Sequence, residues 1–562
     1  MTYREEYKRW CNHATEDGLQ AVLNDMNETQ VEDAFYRNLA FGTGGLRGTI
    51  GAGTNRMNVY TVAKASQGLA NYLVKKYGEQ ASVVIGYDSR LKSDAFARTA
   101  ASVFAANGVR VYIWSRLLPV PTVSYAVRYL GTSAGVMITA SHNPSKYNGY
   151  KVYGEDGCQI TTEMAADILE EIEALDIFLD VKKIAFETAV LKGVISYIQE
   201  EVLDCFIEEI KKQSVLYGEE IDKNVAIVYS PLNGTGLEPI TRILRELGYK
   251  NITIVEEQKL PDGNFPTCPY PNPEIKEALQ LGLEYCHKTG ADLMLATDPD
   301  CDRVGIAVKD SRGDYQLLSG NEVGMLLLDY ICSQRRKHGT MPENPLLIKT
   351  IVTIDMAERI AAHYGLETIN VLTGFKFIGE QIGFLEEKGE EERYVFGFEE
   401  SYGYLTGGYV RDKDAVDGAY MICEMFSYYK TKGISLIDKL NELYETYGYC
   451  LNTLHSFEFE GSAGMEKMEE IMEIFRDNVE VGCVFAGRKV ERVDDYSKGL
   501  NGLPKSNVLK YRLVGNSSIV VRPSGTEPKM KVYISVSAES KKDALIQETY
   551  LYQKLKVFFM IK

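Results

Sequence analysis

The residues able to do chemistry gather in a few short loops. In TDPDCDR (297–303), Asp298, Asp300 and Asp302 alternate. In an extended segment residues i, i+2 and i+4 share a face, and three carboxylates on one face repel unless a cation sits among them. An all-oxygen set suits a hard cation, Mg2+, with positions left over for substrate or water. Arg303 adds a fixed positive charge beside the cluster. A solvated acidic turn is the plainer alternative, but the preceding ADLMLAT reads as a buried strand. An EF-hand is excluded because its turn glycine is missing. The stretch TASHNPSKYNGYK (139–151) puts Ser141 just past another strand, and Pro144 and Gly149 force an irregular loop there. Ser141 suits a nucleophile or phosphate carrier with His142 and Lys151 near the charge; a surface serine in an ordinary turn fits the same letters.

Further loops could hold an oxyanion or a polyol. In RPSGTEPK (522–529), Arg522, the hydroxyls of Ser524 and Thr526 and the open backbone at Gly525 make a compact cradle, because arginine grips phosphate with two parallel bonds and glycine admits backbone N–H groups. A β-turn with a chance arginine is the alternative. FGTGGLRGTIG (41–51) offers Arg47 among glycines, as a phosphate contact or a flexible turn, and matches neither a P-loop nor a dinucleotide fingerprint. In GFEESYGY (397–404), Glu399 and Ser401 at a strand end could fork onto neighbouring sugar hydroxyls. TGFKFIG (373–379) sets Lys376 between two phenylalanines, aimed at a cleft or lying on a surface. Gly131 to Gly135 spells GxSxG, but a helical stretch precedes it and a strand follows, the reverse of a nucleophile elbow.

Three similar runs of elements must position these loops. SVVIGYDSR (82–90), NVAIVYSPLNGTG (224–236) and PLLIKTIVTID (345–355) each open with a β-branched strand. Each continues through a helical stretch to a second strand at 108–114, 248–255 or 365–372, then to a final strand with a polar loop at 134–144, 291–303 or 393–403. Strands alternating with helices predict parallel α/β units, and ligands of such sheets sit beyond the C-terminal strand ends. The last hundred residues read as strands around SSIVVRPSG and KMKVYISV and a helix over 541–558. The expected architecture is three similar α/β domains facing one cleft and a smaller C-terminal α+β fourth domain. The expected bounds are 1–193, 194–318, 319–453 and 454–562, carrying in turn the serine, metal, sugar and phosphate loops.

Bulk properties exclude several classes. The net charge of −17 over 562 residues argues against nucleic-acid binding. No apolar run is of bilayer length and the charged N-terminus lacks a signal peptide's apolar core, so a cytoplasmic protein without membrane partners is expected. Ten cysteines without CxxC and six dispersed histidines fit reduced thiols, not disulfides or zinc.

Taken in order, TASHNP (139–144), DPDCDR (298–303), GFEESYG (397–403) and RPSGTEP (522–528) resemble the α-D-phosphohexomutases, in particular the phosphoglucomutase and phosphopentomutase branch. The resemblance spans nearly the whole chain, and YNGYKVY (147–153) and TGFKFIG extend it. It implies four domains, three similar α/β units with mixed sheets plus a smaller C-terminal α+β domain, around a central cleft. It implies that Ser141 carries the phosphoryl group and binds Mg2+ together with Asp298, Asp300 and Asp302. It implies that Glu399 and Ser401 read the sugar 3- and 4-hydroxyls, and that Arg522, Ser524, Gly525 and Thr526 hold the non-reacting phosphate. Arg47, His142, Lys151, Arg303 and Lys376 would line the cleft for proton transfer or charge stabilisation. The implied substrate is a hexose phosphate, glucose 1-phosphate or glucose 6-phosphate, with glucose 1,6-bisphosphate as intermediate and activator.

Mannose or pentose phosphates remain open as substrates, because GYLTGGYVR (403–411) and TGFKFIG do not separate them. A haloacid dehalogenase-type phosphatase would use Asp298-Pro-Asp300 as its DxD, but the Thr or Val of that motif is absent. A silent sugar-phosphate binder would have no need of Ser141.

Overall fold

The computed structural model describes residues 2–42, 44–459, 461–500, 502–523 and 529–559. They divide into two compact units, one of Met1–Leu318, Ile378–Glu391 and Tyr402–Thr431, the other of Ser319–Phe377, Glu392–Ser401 and Lys432–Lys562.

The first unit holds two mixed sheets. In the seven-stranded sheet, the strands Ser82–Tyr87, Arg110–Ile113, Ala134–Ile138 and Ile195–Tyr197 run parallel, and Tyr147–Tyr153 turns antiparallel against Ala134–Ile138. Strand Gly45–Thr49 then pairs antiparallel with Tyr147–Tyr153, setting Arg47 opposite Gly149 and Gly45 opposite Lys151. The parallel core is buried on both faces, which is why VVI and GVMI are continuously apolar rather than alternating. Ile195–Tyr197 belongs to this sheet although it lies beyond the expected boundary at 193. The five-stranded sheet pairs Leu293–Thr297 parallel to Ile227–Ser230 and antiparallel to Val304–Lys309.

Helix Val59–Tyr77 packs against helices Ser93–Ala106 and Thr162–Glu173. Asn58 caps it by accepting the N–H groups of Tyr60 and Thr61, and Gly78 at φ +59° ends it. Helix Pro121–Leu130 ends at Gly131 in the left-handed region, and strand Ala134–Ile138 follows. The helix-then-strand order excludes a nucleophile elbow as expected, and Ser133 between them accepts the N–H of Ser82 instead.

In the second unit, Leu346–Thr350 runs parallel to Glu367–Val371 and to Tyr394–Glu399. A six-stranded antiparallel sheet follows, from Tyr449–Glu458 through Lys529–Ala538, Ser517–Pro523 and Leu509–Leu513 to Arg488–Asp495 and Val484–Phe485. Its first strand spans the boundary expected at 453. Helices Gly461–Asn478 and Lys541–Phe559 cover one face, with Phe475, Met472, Leu551 and Leu555 in the core. The three α/β sheets and the C-terminal α+β domain are those the sequence predicted. Among the described residues no helix is long and apolar enough to cross a membrane.

Candidate active site

Ser141 and the aspartate loop meet in the first unit, each at the C-terminal end of its strand. Ser141 is 3% exposed and sits at φ +52°, a left-handed conformation uncommon for non-glycine residues. Thr139 Oγ1 accepts the Ser141 N–H at 2.9 Å and donates to Asp88 Oδ2 at 2.7 Å. Asp88 also accepts from Ser93 Oγ and from the Arg90 N–H. The Arg90 guanidinium then donates to four carbonyls of the serine loop, those of Ser141, Asn143, Pro144 and Tyr147. Burial pushes the Asp88 carboxyl up and Arg90 down, and their mutual attraction partly offsets both shifts.

The aspartates converge, with one carboxylate oxygen from each of Asp298, Asp300 and Asp302 lying within 4.8 Å of the others. The extended geometry expected from the sequence is not how they do so. The chain turns: the Cys301 N–H bonds Asp298 O at 2.9 Å, and Cys301 takes φ +54°. Asp298 Oδ1 accepts the N–H groups of Asp302 and Arg303, pulling the turn back onto its first residue. Outside the turn, Thr235 donates twice to Pro299 O, and Val120 N–H donates to Asp300 O. A side chain at Gly234 would strike the Pro299 backbone at 2.5 Å, which explains a glycine in PLNGTG.

Charges around this turn are arranged unevenly. Ser141 Oγ donates to Asp298 Oδ2 at 3.1 Å and lies 3.2 Å from His142 Nδ1. Lys151 Nζ reaches Asp300 Oδ2 at 2.9 Å and Asp302 Oδ2 at 3.2 Å; Lys413 Nζ also reaches Asp302 Oδ2 at 3.2 Å. Arg303 pairs with Glu274 and stands 3.7 Å from Asp302 and 3.9 Å from Asp298. Burial and the two neighbouring carboxylates push Asp298 well above the ordinary range. Burial opposes charge on Asp302 too, but Lys413, Lys151 and Arg303 outweigh it and hold the carboxyl low. Burial, then Arg303 and Arg47, lower His142, so its imidazole is neutral at pH 7. For Lys151, Asp300 and Asp302 overcome burial and raise the ammonium.

The donor set fits a hard divalent cation. Asp300 Oδ1 and Asp302 Oδ1 are buried and accept no hydrogen bond among the described residues, and an orphaned buried acceptor calls for a ligand. Together with Asp298 Oδ2 and Ser141 Oγ they form an all-oxygen set suited to Mg2+.

The sequence-predicted residues thus fall into groups. Ser141, His142, Lys151, Asp298, Asp300, Asp302 and Arg303 come together, and Arg47, on strand Gly45–Thr49, bears electrostatically on His142 and Arg90. In the second unit, Glu399 ends strand Tyr394–Glu399 and is 5% exposed, with Ser401 two residues beyond that strand. Arg522 and Glu399 both act on Tyr533, so this pair shares a neighbourhood. Lys376 begins helix Lys376–Glu387 with its ammonium 5.1 Å from the Phe377 ring centroid. Ser524, Gly525 and Thr526 lie outside the described residues. Sequence reasoning missed Thr139, Asp88, Arg90 and Lys413. The signals were a DSR triplet at a strand end and the charged run RDKDAVD at 411–417.

Residues 38–177, 204–313 and 319–447 match the phosphoglucomutase/phosphomannomutase alpha/beta/alpha domains I, II and III. A phosphoglucomutase of Staphylococcus saprophyticus is 38% identical over 93% of this chain and 95% of its own. Among solved structures, parafusin (a phosphoglucomutase) from Paramecium superposes with a TM-score of 0.69 at 17% identity, covering 93% of this chain and 94% of its own. Aspergillus fumigatus N-acetylphosphoglucosamine mutase, solved with GlcNAc-6P and magnesium, gives 0.52 at 13% identity over 99% of both chains. These two share the fold. Three domain matches in order and a relative of this identity over nearly the full length place the chain in the phosphoglucomutase/phosphomannomutase family.

Proposed function

We propose that the chain is a phosphoglucomutase, an isomerase that interconverts glucose 1-phosphate and glucose 6-phosphate through phosphorylated Ser141 and glucose 1,6-bisphosphate. The observation that carries the reading is Ser141 Oγ, bonded to Asp298 in a buried carboxylate set with two orphaned oxygens. The names of full-length relatives favour glucose over mannose or pentose phosphate.

Ser141, Asp298, Asp300 and Asp302 would hold Mg2+, which would supply charge neutralisation for the phosphoryl group. Phosphoryl transfer has a loose transition state, so the protein's part is positioning and electrostatics. The bond between Ser141 Oγ and phosphorus breaks while a bond from phosphorus to a sugar hydroxyl oxygen forms, and that hydroxyl's proton is taken up by a base. Neutral His142 and the Lys151–Lys413 pair are the groups placed to accept protons or spread charge. The resulting bisphosphate turns over and returns its other phosphate to Ser141 Oγ. We assign Arg47 and Arg303 to the reacting phosphate, and Glu399, Ser401 and Lys376 to the sugar. Arg522, Ser524, Gly525 and Thr526 are assigned to the phosphate that stays. Glucose 1,6-bisphosphate acts as activator by rephosphorylating Ser141. The reaction needs no membrane or nucleic acid, and a cytoplasmic location suits it.

The test is a 31P NMR time course on glucose 1-phosphate with Mg2+ and a trace of glucose 1,6-bisphosphate. Glucose 6-phosphate should accumulate and Ser141→Ala should abolish its formation. Release of inorganic phosphate instead would refute the mutase.

A further inference from the structure

A cavity of about 610 Å3 lies in the first unit among the N-terminal helix Tyr3–His13, helix Val59–Tyr77 and the end of helix Thr162–Glu173. None of the proposed catalytic residues lines it. Its volume falls in the range of small-molecule sites, roughly 300–1,000 Å3. Phe35, Phe41, Leu46 and Ile172 give it an apolar wall, and residues before 38, where the first family match begins, supply part of it.

Its lining carries three carboxylates, Glu6, Glu173 and Asp176, and three cations, Arg9, Arg37 and Lys64, which differ in how they are paired. Arg9 pairs with Asp176 and, at 3.8 Å, with Glu6. Asp176 also accepts the N–H groups of Phe178 and Leu179, and Glu6 accepts the Trp10 indole N–H, so these three are mutually satisfied. Of the remaining lining charges, Glu173 is exposed, and Arg37, also exposed, lies over the Tyr36 ring and donates to Asn55. Lys64 differs. It is half-buried beside Thr61 and Ala65 on the cavity face of its helix, and its ammonium makes no hydrogen bond or ion pair among the described residues. Burial lowers its pKa, and Asp176, Glu173 and Glu6 attract it without touching it. A half-buried ammonium that water reaches and no acceptor among the described residues holds, next to an apolar wall, can meet an anion carrying an apolar body.

The cavity also touches the catalytic side of the molecule through one strand. Leu46 lines it, and Arg47 is the next residue of strand Gly45–Thr49, so the two side chains point to opposite faces. That strand pairs with the strand of Lys151. We propose that this cavity is an effector site for a small organic anion, an aromatic or branched aliphatic body with one carboxylate or phosphate head. The head meets Lys64, the body lies on Phe35, Phe41 and Ile172, and occupancy shifts the strand bearing Arg47. The effect on turnover rests on the mutase reading; the binding does not.

The probe is 8-anilinonaphthalene-1-sulfonate, titrated into the full chain and read by its fluorescence and by energy transfer from Trp10. One saturable site is expected, weakened about tenfold or more in Lys64→Met, as loss of a charged hydrogen bond implies. Ala65→Leu, which fills the cavity without touching the charge, should weaken it as much, and Trp10→Phe should remove most of the transfer while leaving the affinity. Glucose 1-phosphate turnover at saturating probe should change at least twofold in wild type and not in Lys64→Met. Binding that is absent, or equally tight in both cavity variants, overturns the site. Binding without any change in turnover overturns its role as an effector site. If the chain turns over no glucose 1-phosphate at all, the mutase reading fails and the binding result stands by itself.

Discussion

Thr139→Val is the cleanest perturbation of the proposed site, because it keeps the shape of a buried side chain and removes one hydroxyl. That hydroxyl accepts the Ser141 N–H at 2.9 Å and donates to Asp88 Oδ2 at 2.7 Å. Losing the first bond strands a buried donor, costing about 1–3 kcal/mol, and losing the second removes a charge-assisted bond of about 1.5–3 kcal/mol. Asp88 keeps Ser93 and Arg90 as partners, so the lower halves of these ranges apply and the total is about 3 kcal/mol. The loop can recover part of this by letting Ser141 leave φ +52°, since a left-handed residue costs roughly 1–2 kcal/mol. That recovery moves Oγ, and a displacement of about 1 Å costs roughly a hundredfold in rate. Thr139→Val should therefore lower kcat by about a hundredfold with KM within about threefold, the pattern of a lost transition-state interaction. Thr139→Ser, which keeps both bonds, should stay within about threefold of wild type. The assay couples glucose 6-phosphate formation to a dehydrogenase, with thermal unfolding recorded in parallel. A Thr139→Val enzyme of lowered stability but wild-type kcat would show that the hydroxyl stabilises the fold without positioning Ser141, and would refute the argument.

Three other expectations follow from the same structure. Asp300→Asn removes one of the two orphaned carboxylates, and apparent Mg2+ affinity in an activity titration should drop by at least about a hundredfold, beyond the 10–100-fold typical of outer-shell changes; chelation of the wild type should abolish activity reversibly. Gly149→Ala would put a methyl 2.4 Å from Thr139 O and 2.8 Å from Leu46 O, both backbone, so the strands bearing Arg47 and Lys151 must part; the strain of about 1–3 kcal/mol should appear as a tenfold or greater loss of kcat. In the second unit burial, with Lys349 and Arg512, brings Lys510 down to about 8 despite Asp355, with which it pairs at 2.8 Å. The unfolded chain then binds that proton more tightly, so the contribution of Lys510 to stability rises with pH between about 8 and 10.5, by roughly 3 kcal/mol across the window. Thermal unfolding of wild type minus Lys510→Met should increase from pH 8 to 10; a flat difference would remove Lys510 as its source.

The α/β repeats were legible because their core strands are buried on both faces, leaving uninterrupted apolar runs such as VVI and LMLA. The aspartates were legible as a set because three alternating carboxylates behind an apolar strand repel one another unless positive charge sits among them. Their geometry was not, because alternation along the sequence implies an extended strand, whereas a turn at Cys301 brings them together. Thr139, Asp88 and Arg90 stayed hidden for a related reason. Their partners are mostly one another and backbone groups of the serine loop, contacts fixed only once two strands are adjacent. Lys413 belongs to a segment more than a hundred residues from the aspartate it meets, and a charged run carries no record of which charge it will face.

One device recurs in all three α/β sheets and explains why the hidden residues are of this kind. Three or four residues after the strand that delivers each loop, a non-glycine residue adopts positive φ: Ser141 at +52°, Cys301 at +54° and Tyr402 at +65°. Glycine would reach that conformation without strain, but glycine at 141 would forfeit the hydroxyl the proposed chemistry needs. The conformation must then be enforced from outside the residue. At Ser141 this is done by Thr139 and by the four carbonyl bonds of Arg90, and at Cys301 by the Asp298 carboxylate, which accepts the two N–H groups that follow. At Tyr402 the carbonyl accepts the N–H of Val304. Two of the unforeseen residues, Thr139 and Arg90, are therefore enforcers of strain, and Asp88 is the counter-charge that lets a buried arginine act as one. A sequence displays its reactive groups by type; it displays the groups that hold them only through the backbone conformation they are needed to impose.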